Sequence, residues 1–161
     1  LDVENQHLQT KNGVLHYKEI PFSGLIQSFD EINQTRGVTQ YVNGLQDGEE
    51  QKWYTNDSLA EIRLYAKGKK VGMHKSWWKN GQLKFEYPYN DKGTYDGVIK
   101  EWYSNGQQIK EFHYENGKEV GAQKMWLANG NIRANYTVVG GERFGLIGLK
   151  KCFTVKINDE K

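Results

Sequence analysis

A single cysteine, Cys152, stands in the 161-residue chain, which excludes an intrachain disulfide and a cysteine-rich zinc site. Proline is almost absent, with two residues. Charge of one sign is lacking too. Twenty-two Lys and Arg against 20 Asp and Glu leave a formal +2, too weak a field for a dedicated nucleic-acid binder. No apolar run approaches the ~18 residues that a membrane-spanning helix needs. Leu1 in place of an initiating Met reads as a trimmed or processed chain. On that reading the expected location is secreted, periplasmic or surface-anchored, with the cytoplasm as the alternative.

Glycine and aromatics are what the chain does have: 18 glycines, and 13% Phe, Trp and Tyr. Many glycines with few prolines imply tight turns between uninterrupted extended segments. The glycines also keep time. Gly followed five residues later by an aromatic occurs as Gly24 with Phe29, Gly48 with Trp53, Gly72 with Trp77, Gly97 with Trp102 and Gly121 with Trp126. Gly145 follows in step, with Lys150 in the aromatic's place, and successive glycines lie 24, 24, 25, 24 and 24 residues apart. Such a period marks a repeat architecture.

Other positions recur inside the unit. After the first aromatic come Tyr54, Trp78, Tyr103 or Leu127, then a turn pair, Asn56-Asp57, Asn80-Gly81, Asn105-Gly106 or Asn129-Gly130. Further on stand Tyr41, Tyr65, Tyr89, Tyr114 or Val138, and a second glycine, Gly44, Gly68, Gly93, Gly117 or Gly141. Asn-Gly between apolar residues predicts a two-residue type I′ hairpin turn. The second glycine predicts the return turn, so each unit is two short strands and the glycines are accounted for by turns. No stretch has a capped helical period. The first unit, with Phe29 and Ile32-Asn33, has a degenerate turn, and one extra residue between Asp91 and Gly97 predicts a bulge or longer turn. Gln107-Gln108-Ile109 displaces the apolar residue by one. Residues 1–13 read as a loose leader, 14–157 as the repeat domain and 158–161 as a polar tail, with Pro21-Phe22 and a strand through Phe153, Val155 and Ile157 as caps.

With a two-residue turn at Asn80-Gly81, alternation gathers Trp78, Leu83, Phe85, Tyr87 and Tyr89 on one face. Tyr54, Leu59 and Tyr65 join them, as do Leu127, Ile132, Tyr136 and Val138; this is the expected packed face. The opposite face carries Trp53, Trp77, Trp102 and Trp126 among Lys75, Glu86 and Lys100. Equivalent residues of successive units lie two strands, about 9.6 Å, apart, so the Trp rings sandwich side chains of the intervening strand. Lys or Arg over those rings adds cation–π attraction. Two readings of the four Trp stand side by side: a structural ladder shielding a one-layer sheet, and a strip of anchors for a protein partner.

Catalytic constellations are missing. His7, His16, His74 and His113 are scattered, with no His-Glu-x-x-His and no cysteine pair, so neither metal nor cofactor is expected. Lys150 and Lys151 beside Cys152 favour a reactive thiol, whereas its place in a terminal strand favours a packed one. No Gly-x-Ser-x-Gly elbow occurs. Glu61, Glu86 and Glu111, opposed by Lys75 and Lys100, read as cross-strand ion pairs rather than paired catalytic carboxylates. The chain is not expected to be an enzyme.

The unit from Gly72 through Trp77-Trp78-Lys79-Asn80-Gly81-Gln82-Leu83, and the next from Gly97 to Tyr114-Glu115-Asn116-Gly117-Lys118, resemble the MORN repeat in its bacterial variant form. Lys11 to Tyr17 and Pro21-Phe22-Ser23-Gly24 are similar to the opening segment of YwqK-family, antitoxin-like proteins built of that variant. The resemblance runs from about residue 11 to 150. It implies an all-β fold, an elongated single antiparallel sheet of about six stacked hairpins, serving as a protein-binding scaffold. In some members it implies neutralisation of a toxin or effector. Eukaryotic relatives are associated with membrane surfaces and phosphoinositides, but no polybasic cluster of the lipid-binding kind is present here. Partner-binding residues are therefore expected at Trp53, Trp77, Trp102 and Trp126, with a homodimer by face packing or edge pairing as a further form of association. An envelope structural protein, or a carbohydrate binder using aromatic platforms, are the alternatives.

Overall fold

The computed structural model describes residues 1–148, so Lys150, Cys152, the strand expected through Phe153–Ile157 and the tail 158–161 lie outside the described residues. Among the described residues all regular structure is β. Strands β1 (Leu8–Lys11), β2 (Val14–Tyr17) and β3 (Ile20–Pro21) form a small sheet. Then come β4 (Gly24–Asp30), β5 (Thr35–Val42), β6 (Leu45–Tyr54), β7 (Leu59–Ala66) and β8 (Lys69–Trp77). They are followed by β9 (Leu83–Tyr89), β10 (Gly97–Trp102), β11 (Gln108–Glu115), β12 (Lys118–Trp126), β13 (Ile132–Val139) and β14 (Glu142–Leu146). These eleven pair antiparallel with their chain neighbours in one open sheet. The expected sheet of stacked hairpins is what forms.

Residues 1–13, expected to be loose, are tied down. β1 pairs with β2 from Leu8↔Tyr17 to Lys11↔Val14. The chain start lies along the β4 edge, where Gln27 N–H donates to Leu1 O at 2.7 Å and Val3 N–H donates to Gln27 O at 2.8 Å. Main-chain bonds order this apolar-poor segment, and composition carries no trace of them.

The two turn types fall the opposite way from the sequence expectation. Two-residue turns with both central residues at positive φ, the I′ requirement, occur at the second glycine: Asn43-Gly44 (φ 50 and 78), Lys67-Gly68 and Asn116-Gly117. The Asn-Gly after each Trp instead closes a three-residue loop. Trp78 N–H donates to Gln82 O and Gly81 N–H to Trp78 O, both at 2.8 Å, while Asn80 Oδ1 accepts from Gln82 N–H at 3.1 Å. Only Gly81 is left-handed there (φ 83), the pattern of a type I turn followed by a glycine bulge. Asx bonding by Asn80 satisfies the turn without putting Asn80 itself at positive φ. The same loop closes at Tyr54–Ser58, Tyr103–Gln107 and Leu127–Asn131. It closes also at Asn90–Thr94, where the extra residue before Gly97 is absorbed.

A register slip follows in the four units that carry a Trp, while the first unit, with Phe29, keeps a continuous register to Asp30↔Thr35. Ser76 pairs with Phe85 but Trp77 pairs with Leu83, leaving Lys84 as the extra residue. Trp53 likewise meets Leu59, Trp102 meets Gln108 and Trp126 meets Ile132. Leu59, Leu83 and Ile132 therefore lie on the tryptophan face and not, as alternation from a two-residue turn predicts, on the packed face. In the fourth unit the displaced Ile109 takes the extra position.

The first glycine of each unit is a strand residue rather than a turn residue, which corrects the turn-only account. It faces the unit's aromatic across the ladder: Gly24↔Tyr41, Gly48↔Tyr65, Gly72↔Tyr89 and Gly97↔Tyr114. At Gly97 φ is +117, a conformation that strains any side chain, and a Cβ would crowd Pro88 Cγ at 3.1 Å.

Two residues after that glycine comes a position buried in the first five units: Ile26, Glu50, His74, Ile99 and Gln123. Its mixture of apolar and polar residues hides it from hydropathy. Glu50 accepts from the Tyr65 hydroxyl at 3.2 Å, whereas His74 and Gln123 bond main-chain atoms. Gln123, fully buried, accepts from His113 N–H at 3.0 Å and donates to His113 O and Val120 O, both at 2.9 Å. His74 Nε2–H donates to Leu64 O at 2.8 Å between the rings of Tyr65 and Tyr89. On the same face Ile99, Phe112, Ala134, Tyr136 and Val138 form the main cluster, with Tyr87, Tyr95, Tyr114 and Met125 packed around it. Large rings covering one another stand in for a second layer.

Burial holds the His74 pKa below the ordinary histidine value, opposed by its bond to Leu64 O and helped by Arg63 and Lys70. Below about pH 6.5 the unfolded chain thus binds a proton that the folded chain resists, so stability falls with acid. Between pH 7 and 5 the thermal midpoint is expected to fall less steeply in His74→Gln than in the parent. Parallel slopes in pH-dependent calorimetry would contradict this.

Candidate functional site

The tryptophan row grows directly out of the slipped register. Trp77, Trp102 and Trp126 end strands β8, β10 and β12, Trp53 is the last residue but one of β6, and each pairs with the first residue of the following strand. The row reads Phe29, Arg36, Trp53, Leu59, Trp77, Leu83, Trp102, Gln108, Trp126, Ile132 across ten strands. All four Trp are half-buried. The interleaved Leu59, Leu83, Gln108 and Ile132 are the side chains that the ring spacing requires between them.

Arg36 lies over the Trp53 ring at 5.2 Å and is held by Asp57 at 2.7 Å. This is the one cation over a row tryptophan among the described residues; Lys84 lies instead over Trp78, on the other face. A row of alternating charge runs beside the tryptophans: Lys75, Glu86, Lys100, Glu111 and Lys124. Lys75 and Glu86 form an ion pair at 2.8 Å. Glu111 accepts from Gln108 Nε2–H at 3.2 Å. Glu61, grouped with them from sequence, lies on the opposite face and pairs with Arg63 of its own strand, because its offset from the turn is one residue shorter. Alternating signs leave this face with little net charge to desolvate.

Sequence reasoning missed the apolar residues around the row. Among the described residues of the large sheet, the large hydrophobics that are exposed are Leu25, Phe29, Val42, Met73, Ile132, Val139, Phe144 and Leu146. By register every one of them is on the tryptophan face. Part of the signal was available as strict alternation in β13 from Ala134 on, where Ala134, Tyr136 and Val138 are buried and Val139 is exposed. Two shallow depressions open on this face. One, of about 260 Å³, lies at Phe29, Arg36, Val38 and Trp53, and another, of about 140 Å³, at Lys124, Trp126 and Ile132.

The histidines serve the scaffold. His16 Nδ1 lies 2.9 Å from Val14 O, His113 Nδ1 2.6 Å from Ala122 O, and His7 meets the Tyr17 ring edge-on at 6.0 Å. Among the described residues no group of three or more His, Cys, Asp or Glu is placed to hold a metal ion. Among the described residues no helix is long and apolar enough to cross a membrane.

Three segments of the chain, 46–67, 70–91 and 95–116, match the MORN repeat variant family model. They cover β6 to β11, the units richest in Trp, Tyr and Asn-Gly; the flanking units, with Phe29, Leu127 and Val138 at repeat positions, fall outside the matched segments. No curated protein matches the chain significantly. Repeats of this kind bind proteins or membranes and are non-catalytic.

Proposed function

We propose that the chain is a non-catalytic scaffold that binds a protein through the tryptophan face, with Trp53, Trp77, Trp102 and Trp126 as anchors. The observation that carries this is the confinement of the large sheet's exposed large hydrophobics to the face that bears the row. A one-layer sheet that needed only shielding would place its large residues inward; here they point to solvent around rings that are themselves half open. Eleven strands span about 48 Å, and some five residues of each give a face of about 800 Å², the area one partner buries in a standard interface.

In its most specific form, the partner is a toxic effector of the same bacterium, and this chain is its antitoxin or immunity protein, as the YwqK-family resemblance implies. A second copy of the chain through the same face is the rival occupant. Capture of the product of an adjacent gene by the tagged protein, followed by sedimentation of the complex, separates the two. Trp77→Ala with Trp102→Ala is expected to weaken capture by about thirty-fold or more, as for hot-spot aromatics, while the protein still melts cooperatively. If capture and stability are both unchanged, the tryptophans are not the anchors.

A further inference from the structure

At the loop end of the sheet, on the face opposite the tryptophan row, the β4–β5 loop and the β8–β9 loop enclose a cleft of about 440 Å³ lined by Tyr54 and Trp78. Both aromatic residues are held by their polar atoms. Tyr54 Oη donates to Trp77 O at 2.8 Å, and Trp78 Nε1 donates to Trp102 O at 3.0 Å. Hydrogen bonds to the next unit occupy the ring edges and leave the ring faces for contact. Over those faces lie two ammonium groups, Lys84 at 4.6 Å from the Trp78 centroid and Lys79 at 5.7 Å from that of Tyr54. Among the described residues neither lysine forms an ion pair. Ile32, 93% exposed, also lines the cleft.

The residues at the rim of the cleft, Lys79, Lys84 and Ile32, vary from unit to unit, and Arg133 alone repeats the charge of Lys84. Where Lys79 stands, the other units have Thr55, Ser104 and Ala128; where Lys84 stands, they have Ala60, Ile109 and Arg133. Ile32-Asn33 replaces the turn pair, and Asp30 pairs with Thr35 around four residues where Trp78 and Gln82 close around three. Departures about 50 residues apart in the chain line one cavity.

We propose that this cleft binds an acidic peptide segment in which a carboxylate stands next to an apolar side chain. The carboxylate meets the ammonium groups of Lys79 and Lys84, and the apolar neighbour packs on Tyr54, Trp78 and Ile32. Charge-assisted bonds to a carboxylate are stronger than the cation–π contacts that hold exposed lysines. Two cations suit a carboxylate and fall short of the four to eight that hold a membrane surface. Asp30 and Glu61, in the adjoining depression beside Lys52 and Lys84, oppose a multiply charged phosphate. The cleft and the tryptophan row lie on opposite faces, so this site stands or falls separately from the partner face.

The test is a titration of ¹⁵N-labelled protein with an acetylated octapeptide alternating glutamate and leucine, beside its glutamine-for-glutamate counterpart. The expected result is amide shifts at 31–34 and 78–82 with the acidic peptide, weakened by salt. Lys79→Ala with Lys84→Ala should reduce affinity at least tenfold, with an unchanged melting curve. Lys118→Ala, in the turns at the other sheet end, and Trp77→Ala with Trp102→Ala should leave the titration unaltered. Absence of shifts at millimolar peptide, equal shifts with the glutamine peptide, or indifference to the lysine variants would overturn the proposal. So would capture by phosphatidylserine vesicles through the same lysines without any response to peptide.

Discussion

Tyr136→Ala is expected to lower the main thermal transition by roughly 6–20 °C. Tyr136 is 5% exposed, meets Phe112 edge-on at a centroid distance of 6.0 Å, and sits in the cluster with Ile99, Ala134 and Val138. Truncating a buried aromatic costs about 3–5 kcal/mol, and in a chain of this size each kcal/mol moves the midpoint about 2–4 °C. A one-layer sheet has no opposing layer to close the hole, so the upper half of that range is the expectation. Its hydroxyl donates to Glu119 Oε2 at 3.1 Å, and burial together with that carboxylate pushes the phenol pKa up to about 12. Glu119 keeps Arg143 as a partner, so Tyr136→Phe should lose only about 1 kcal/mol. Calorimetry of the two variants checks both statements; a near-neutral alanine variant would mean that the tyrosine face is not the core.

Gly44→Ala is expected to release the N-terminal hairpin from the large sheet. Gly44 has φ +78, and a Cβ there would fall 2.3 Å from Val14 Cγ1 and 2.6 Å from Leu15 O. Its N–H donates to Phe22 O at 2.7 Å and its carbonyl accepts from Leu15 N–H at 2.8 Å, so any shift that relieves the overlap breaks these bonds. The left-handed conformation costs about 1–2 kcal/mol for a side chain, and two lost hydrogen bonds about 1 kcal/mol each. Amide exchange at Leu15 should accelerate by roughly 10²–10³-fold, the equivalent of about 3–4 kcal/mol. Gly13→Ala is the control, with the same φ of +78 and nothing within 4 Å of the added Cβ. It should pay only the conformational part. Equal effects of the two substitutions would show that the hairpin is not docked on the β5–β6 turn.

The architecture was legible because a period repeated five times is hard to mistake. Phe85, Tyr87, Tyr89, Tyr65, Tyr136 and Val138 lie on the face that alternation assigns them, since no bulge intervenes between them and the strand centres. Leu59, Leu83 and Ile132 crossed over because they adjoin the loop, where one residue in the left-handed region, Asp57, Gly81 or Gly130, precedes a bulge. Asn-Gly is compatible with two turn types, and the choice between them depends on Asn80 Oδ1 bonding to Gln82 N–H, a local geometry that composition leaves open. The buried His74 and Gln123 were invisible for another reason. Their value lies in main-chain atoms exposed by bulges in the neighbouring strand, which no single-strand pattern encodes.

The order of residues, taken alone, determined that this chain is all β, that its strands pair with their chain neighbours, and that four tryptophans share a face, because period and alternation are properties of the sequence itself. Tertiary structure alone decided what stands between those tryptophans, which face the exposed apolar side chains occupy, and that Ile32, Lys79 and Lys84 meet in one cleft. Each of these depends on a one-residue slip at a turn, and at that scale the deciding energy comes from hydrogen bonds and packing across strands rather than from any residue's own preference.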